Sequence, residues 1–211
     1  MFARLAAMRW LALLLVASCG CAYHPVSHTP NLIASPPPAS AVSPSGVGIS
    51  LYPRYLQFHE PLGPSIEKWW SKRQGRFVSH VQERCQSLPS LRQARWNDPS
   101  APYQVVIEVT QDMRGSSFRY KLTDFTKYLI PSKDEGITRV AVRVYHGKSL
   151  LKTYEAEGIY ETRRHLLFLL LPMGWRKGVP SQVANDTIYD ALLQVDRDAA
   201  EWSAQTSGSN G

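Results

Sequence analysis

The sequence predicts an α+β fold, an antiparallel sheet with two helices packed on one face. Two observations carry this. Two stretches with apolar residues at helical spacing, one near residue 65 and one near residue 180, stand apart in the chain. Between and before them the apolar residues alternate singly with polar ones, the period of a half-buried strand.

The elements follow in order. Val47-Gly48-Ile49-Ser50-Leu51-Tyr52 alternates and reads as the first strand of the body. Pro61, Gly63 and Pro64 break it, and Ser65 is a candidate N-cap. Ile66, Trp70, Phe77, Val81, Cys85 and Leu88 then recur at helical spacing, so a helix is expected over 65–87, weakened by Gly75. Tyr103, Val105, Ile107 and Val109 share one face of a strand. Phe118, Tyr120 and Leu122 alternate after a turn at Arg114-Gly115 and predict another strand. Val140, Val142 and Val144 alternate with Arg139, Ala141 and Arg143, His146-Gly147-Lys148 is a turn, and residues 150–160 form the partner strand. Pro180-Ser181 opens the last helix, with Ile188, Leu192, Val195, Ala199 and Trp202 as its stripe. Asp186, Asp190, Asp196 and Asp198 of that helix read as a solvated face.

The ends differ from this body. Arg4 and Arg9 lead, Trp10-Leu11-Ala12-Leu13-Leu14-Leu15-Val16 is a short apolar run, and Val16-Ala17-Ser18 supplies small residues before Cys19. A basic start, a short apolar middle and small residues at a cut describe a secretory signal peptide. The run is shorter than the roughly 20 residues that a spanning helix needs. The Val16-Ala17-Ser18-Cys19 sequence resembles the lipobox of bacterial lipoproteins. That resemblance implies removal of residues 1–18 and a diacylglyceryl group on the Cys19 thiol. Gly20 follows Cys19 in place of an aspartate, which in enteric-type lipoproteins implies the outer membrane, with the protein facing the periplasm. The body, in its order of elements, is loosely similar to small α+β envelope lipoproteins.

Residues 19–46 are expected to be the lipidated cysteine and a disordered tether. Pro25, Pro30, Pro36, Pro37, Pro38 and Pro44 are mixed there with Ser, Ala and Thr, too little apolar surface to offset ordering entropy. Extended, such a segment reaches about 80 Å. The division expected is therefore 1–18 signal peptide, 19–46 tether, 47–204 a single α+β domain and 205–211 a disordered tail. Loss of Arg4 and Arg9 on cleavage lowers 24 basic side chains to 22 against 17 acids, a side-chain charge of +5. For an exported protein, the matching polyanion is anionic lipid or an envelope polymer, and nucleic acid is not expected as a partner.

Residues 163–177 break the strand pattern. Leu166, Leu167, Phe168, Leu169, Leu170 and Leu171 run without period, Pro172 and Gly174 bend the end, Trp175 follows, and Arg163, Arg164, Arg176 and Lys177 flank the run. Two readings stand open. One is a tip that enters a bilayer or a partner's apolar groove, with Trp175 at the interface and the basic residues on phosphates. The other is a buried segment of the core, since continuous apolar runs occur there too.

Catalytic spacing is not visible. Ser65-Ile66-Glu67-Lys68 and Ser149-Leu150-Leu151-Lys152 both fit Ser-x-x-Lys, and neither has the downstream partners that pattern needs. His24 and His28 are four apart in the tether, and no other histidines have ligand spacing within one element, so neither metal nor cofactor is expected. Cys85 reads as a small apolar core residue. The function expected is that of a non-enzymatic binding or assembly module held to the membrane through acylated Cys19, with an envelope protein or anionic lipid as partner. The alternatives are a lipid-handling or transport accessory and an enzyme acting on cell wall or lipid.

Overall fold

A computed structural model describes residues 21–29, 46–58, 60–61, 64–126, 129–165 and 179–207. The signal peptide 1–18, Cys19, residues 30–45 of the expected tether, and Leu166 through Lys177 lie outside the described residues.

The elements are β1 (Cys21–Thr29), β2 (Val47–Gln57), β3 (Glu60–Pro61), α1 (Pro64–Ser87), β4 (Arg95–Trp96), β5 (Tyr103–Arg114), α2 (Ser117–Phe125), β6 (Ser132–His146), β7 (Ser149–Arg164) and α3 (Val179–Ser207). They build a seven-stranded sheet in the order β1-β7-β6-β5-β2-β3, with β4 paired to β2 off that path. The α+β class holds, with three differences in detail. The sheet is mixed: β2 runs parallel to β5 from Val47 beside Tyr103 to Gln57 beside Met113. A parallel neighbour needs a long crossover, and α1 supplies it. There are three helices among the described residues, not two. And β1 forms within the segment expected to be a tether.

The period-2 segments behave as their pattern requires. Tyr103, Val105, Ile107 and Val109 of β5 are buried, as are Val140, Val142 and Val144 of β6. They meet Val47 and Ile49 of β2, Tyr154 and Ala156 of β7, Val81, Cys85 and Leu88 from α1 and its end, and Ile188, Leu192, Val195, Ala199 and Trp202 of α3 in one core. That core lies between the sheet and the two long helices. The opposite face is polar and laced by cross-strand ion pairs, Arg139–Glu157 at 2.6 Å and Arg143–Glu108 at 2.5 Å. One dry face and one wet face is the usual economy of a sheet with antiparallel hairpins. The β6–β7 hairpin closes on Gly147, whose φ of 57° suits a residue without Cβ.

Helix α1 begins one residue before Ser65, on Pro64, whose fixed φ suits a first helical turn. The run Phe118-Tyr120-Leu122, expected as a strand, is helix α2. Ser116 caps it, its side chain accepting a hydrogen bond from Arg119 N at 3.3 Å. Gly115, at φ 141°, ends β5 just before. Five residues of alternation are too short to separate the two periods; Phe118, Leu122 and Phe125 also fit a helical stripe.

The acidic face of α3 is not wholly solvated. Asp190 and Asp196 are fully buried. Asp196 accepts hydrogen bonds from Ser90 N at 2.8 Å and from the Ser90 hydroxyl, tying the turn after α1 to α3. Buried charge needs such partners. Trp202 Nε1 donates to the Tyr154 hydroxyl at 3.1 Å beneath the same helix. Helix α3 continues to Ser207, past residue 204 where the tail was expected to begin.

Candidate functional site

Arg163, Arg164 and the first residues after Gly20 gather at one end of the sheet. Strand β1 is antiparallel to β7, with Cys21 opposite Arg164 and Thr29 opposite Glu157. Arg164 is in turn opposite Ser132, the first residue of β6. Met113, near the end of β5, lies opposite Gly136 of β6. So the start of β1, the end of β7, the start of β6 and the end of β5 share one edge of the molecule.

This corrects the expectation for residues 21–29. Their composition lacks the apolar content to fold alone, but an edge strand needs only a backbone partner, and β7 provides one. Pro25 is tolerated because β1 is the outermost strand and its missing N–H need not face a neighbour. The register slips between Pro25 and Ser27, a bulge that leaves Val26 exposed.

On the helix-bearing face, the apolar core gives way at this end to polar residues. Ser132, Asp134, Thr138, Thr162 and Arg164 are all buried. The Arg164 guanidinium lies 3.7 Å from the centre of the Tyr120 ring, and its Nη2 donates to Met113 Sδ at 3.7 Å. Tyr120 also packs edge-on to Phe58 at 5.4 Å. Helix α2 is thereby clamped over the end of the sheet. Gly136 and Gly115 make room for this cluster: a Cβ at the first would enter the Tyr160 ring, and at the second it would meet Asp134 Oδ1. Burial raises the Asp134 carboxyl above its ordinary range, and the charge of Arg164 only partly offsets this. Burial also raises the Tyr160 phenol, again against the pull of Arg164.

Arg163 and Arg164 were expected to act together as a basic flank on phosphates. The structure puts them on opposite faces, as consecutive strand residues are. Arg164 is buried under α2. Arg163 is exposed on the other face and pairs with Glu161, which also holds Lys133 at 2.6 Å. Those two cations keep the Glu161 carboxyl below the usual range. The remaining residues expected at the tip, Leu166, Leu167, Phe168, Leu169, Leu170, Leu171, Trp175, Arg176 and Lys177, lie outside the described residues, as does Cys19.

Sequence reasoning missed an exposed apolar group at this same end. Phe118 is 72% exposed, Phe125 84%, Leu129 65% and Ile130 40%. The signal was present in the i, i+4, i+7 spacing of Phe118, Leu122 and Phe125, read instead as strand alternation. Cys85 is buried and free, and burial pushes its thiol up to about 12, so it is an inert core residue. Among the described residues no group of His, Cys, Asp and Glu could hold a metal, and no helix is long and apolar enough to cross a membrane.

No protein-family model matches the chain, and no curated protein matches it. Among solved structures, the chain is similar to a PelC dodecamer from Paraburkholderia phytofirmans, a single-substitution variant, at 14% identity over 84% of this chain and 98% of that one, with a TM-score of 0.35. It is also similar to the hypothetical protein CT253 from Chlamydia trachomatis, at 14% identity over 72% of this chain and 96% of that one, with a TM-score of 0.37. Similarity this low transfers neither fold detail nor function.

Proposed function

We propose that this chain is an outer-membrane lipoprotein facing the periplasm, anchored through acylated Cys19, and that it serves as a non-enzymatic binding or assembly module. The lipobox-like Val16-Ala17-Ser18-Cys19 sequence supports the anchor. The observation that bears most on mechanism is the pairing of Cys21 with Arg164. Two residues span at most about 7 Å, so a lipid on Cys19 would join the chain within that distance of the first strand residue instead of beyond a long tether. Acyl chains contribute about 0.8 kcal/mol per buried methylene, enough with two or more chains for lasting attachment. The body is thus held with one end of its sheet at the lipid surface, and its polar outer face and helices stand clear for partners.

The apolar run 166–175 follows the end of β7 in the sequence, which supports a contact with membrane or partner for Leu166 through Leu171 and Trp175. The lipid-handling alternative calls for a long dry groove. The depression lined by Ser50, Tyr52, Asn97, Gln104 and Tyr145 on the outer face mixes polar with aromatic groups and is not of that kind.

The test of the anchor is Cys19→Ala in the full-length precursor. Expected are loss of metabolic lipid labelling and release from the membrane fraction. Unchanged labelling and sedimentation with membranes would refute the lipoprotein reading.

A further inference from the structure

We infer that α2 and the two residues Leu129 and Ile130 form a second membrane contact, lying in the headgroup region of the bilayer that holds Cys19. This rests on the lipoprotein reading and adds a named surface to it. Helix α2 is inverted with respect to an ordinary surface helix. At 100° per residue, Phe118, Leu122 and Phe125 form one stripe, while Tyr120 and Thr123 lie on the other side. Thr123 is fully buried and Tyr120 is pinned under Arg164, so the polar side faces the protein and the two phenylalanines face out. Burying Thr123 is supported locally, since its hydroxyl donates to Arg119 O at 2.8 Å. Exposed Lys121 lies at the margin of the outward stripe, and exposed Arg119 and Asp124 flank it on either side, so this face carries two cations and one acid. Apolar rings interleaved with cations are the composition of an interfacial helix on anionic lipid.

The location selects the bilayer over other occupants. Ile130 is two residues from Ser132, and Ser132, Arg164 and Cys21 are successive neighbours across three strands. At ~4.8 Å per strand and ~3.4 Å per residue, Ile130 lies within about 20 Å of Cys21, and α2 is held at the same end by Tyr120 against Arg164, beside the point where the acyl chains would enter lipid. The patch is also small. Two phenylalanines, a leucine and an isoleucine bury roughly 500 Å², short of the ~800 Å² that each partner gives to a stable protein interface. An acylated chain needs only such a supplementary contact to fix its orientation.

The experiment uses the acylated full-length protein with Cys21→Ser, which leaves the buried Cys85 as the only other thiol. An environment-sensitive NBD dye is placed at Phe125→Cys and, separately, at Arg95→Cys, an exposed position at the opposite end of β2. Each protein is reconstituted into vesicles of phosphatidylethanolamine and phosphatidylglycerol, with and without doxyl-labelled lipid. Flotation of the vesicles in the same sample reads the anchor. Expected is loss of most of the dye emission at position 125 in doxyl lipid and no loss at position 95. Flotation with no quenching at 125 overturns this inference and leaves the anchor standing. Failure to float overturns the anchor itself. Blue-shifted emission at 125 that persists in detergent and is insensitive to doxyl lipid shows that a second copy, or the chain itself, covers the patch, and also overturns it. Phe118→Ser with Phe125→Ser checks the fold: an unchanged melting temperature and weaker vesicle binding of the Cys19→Ala form are expected, and unchanged binding counts against the proposal.

Discussion

Asp134 is a carboxyl held in the buried polar cluster at the end of the sheet. It is 1% exposed, and Arg164 and the Ser132 hydroxyl, which favour its charged form, only partly offset that burial. Burial therefore raises its carboxyl, since the charged form loses hydration that Arg164 does not fully replace. The sign follows from linkage. A group that titrates higher in the folded state contributes stability that is fully present below its unfolded value and lost as pH rises through the folded one. Asp134→Asn is thus expected to melt higher than wild type at neutral pH, with the gap closing as pH falls toward ~4, the ordinary aspartate value. A melting series against pH measures it. A variant that melts lower at neutral pH would mean that Arg164 stabilises the carboxylate after all. None of this was legible in the sequence. Ser132, Asp134 and Thr162 alternate with exposed residues as any strand would, and only the lateral pairing of β6 with β7 reveals that they share the buried face.

Single elements show both what pattern reading reaches and where it stops. Strands β5, β6 and β7 were legible because a long run of alternation admits only one period, and Tyr103, Val105, Ile107, Val109, Val140, Val142 and Val144 are buried on one face. Helix α2 was not, because Phe118, Tyr120 and Leu122 fit both periods and the cap at Ser116 was overlooked. The parallel placement of β2 beside β5 depends on where the α1 crossover delivers the chain, which no local pattern encodes. The acids of α3 mislead in another way. Charge suggested solvent, yet Asp196 lies in the core side of the helix and serves the turn at Ser90. Asp196→Ala leaves the Ser90 N–H and hydroxyl buried without this acceptor, so a loss of about 1–3 kcal/mol in chemical denaturation is expected. A change within error would show that the turn after α1 is solvated and that α3 does not depend on this contact. Asn at the same position should recover part of the loss, since its carbonyl can still accept.

At the scale of the molecule, the account turns on how the anchor joins the body. Composition predicted a long flexible tether between Cys19 and Val47, and composition is a sound guide to whether a segment folds alone. It is silent on whether a neighbouring sheet offers a free edge. Strand β7 does, and β1 takes it along its whole length from Cys21 to Thr29. On the proposed anchor, the sheet would sit with one end at the lipid, and with it α2 and the end of β7. Had β1 stayed free, the body would instead sample a height of tens of Å above the membrane and no surface would have a fixed orientation. Hydrogen–deuterium exchange on the acylated protein in vesicles measures the difference most directly. The account predicts slow exchange for alternate amides of residues 22–28, those directed at β7, together with their partners in residues 157–163. Exchange of residues 22–28 at the rate of an unstructured chain would contradict it.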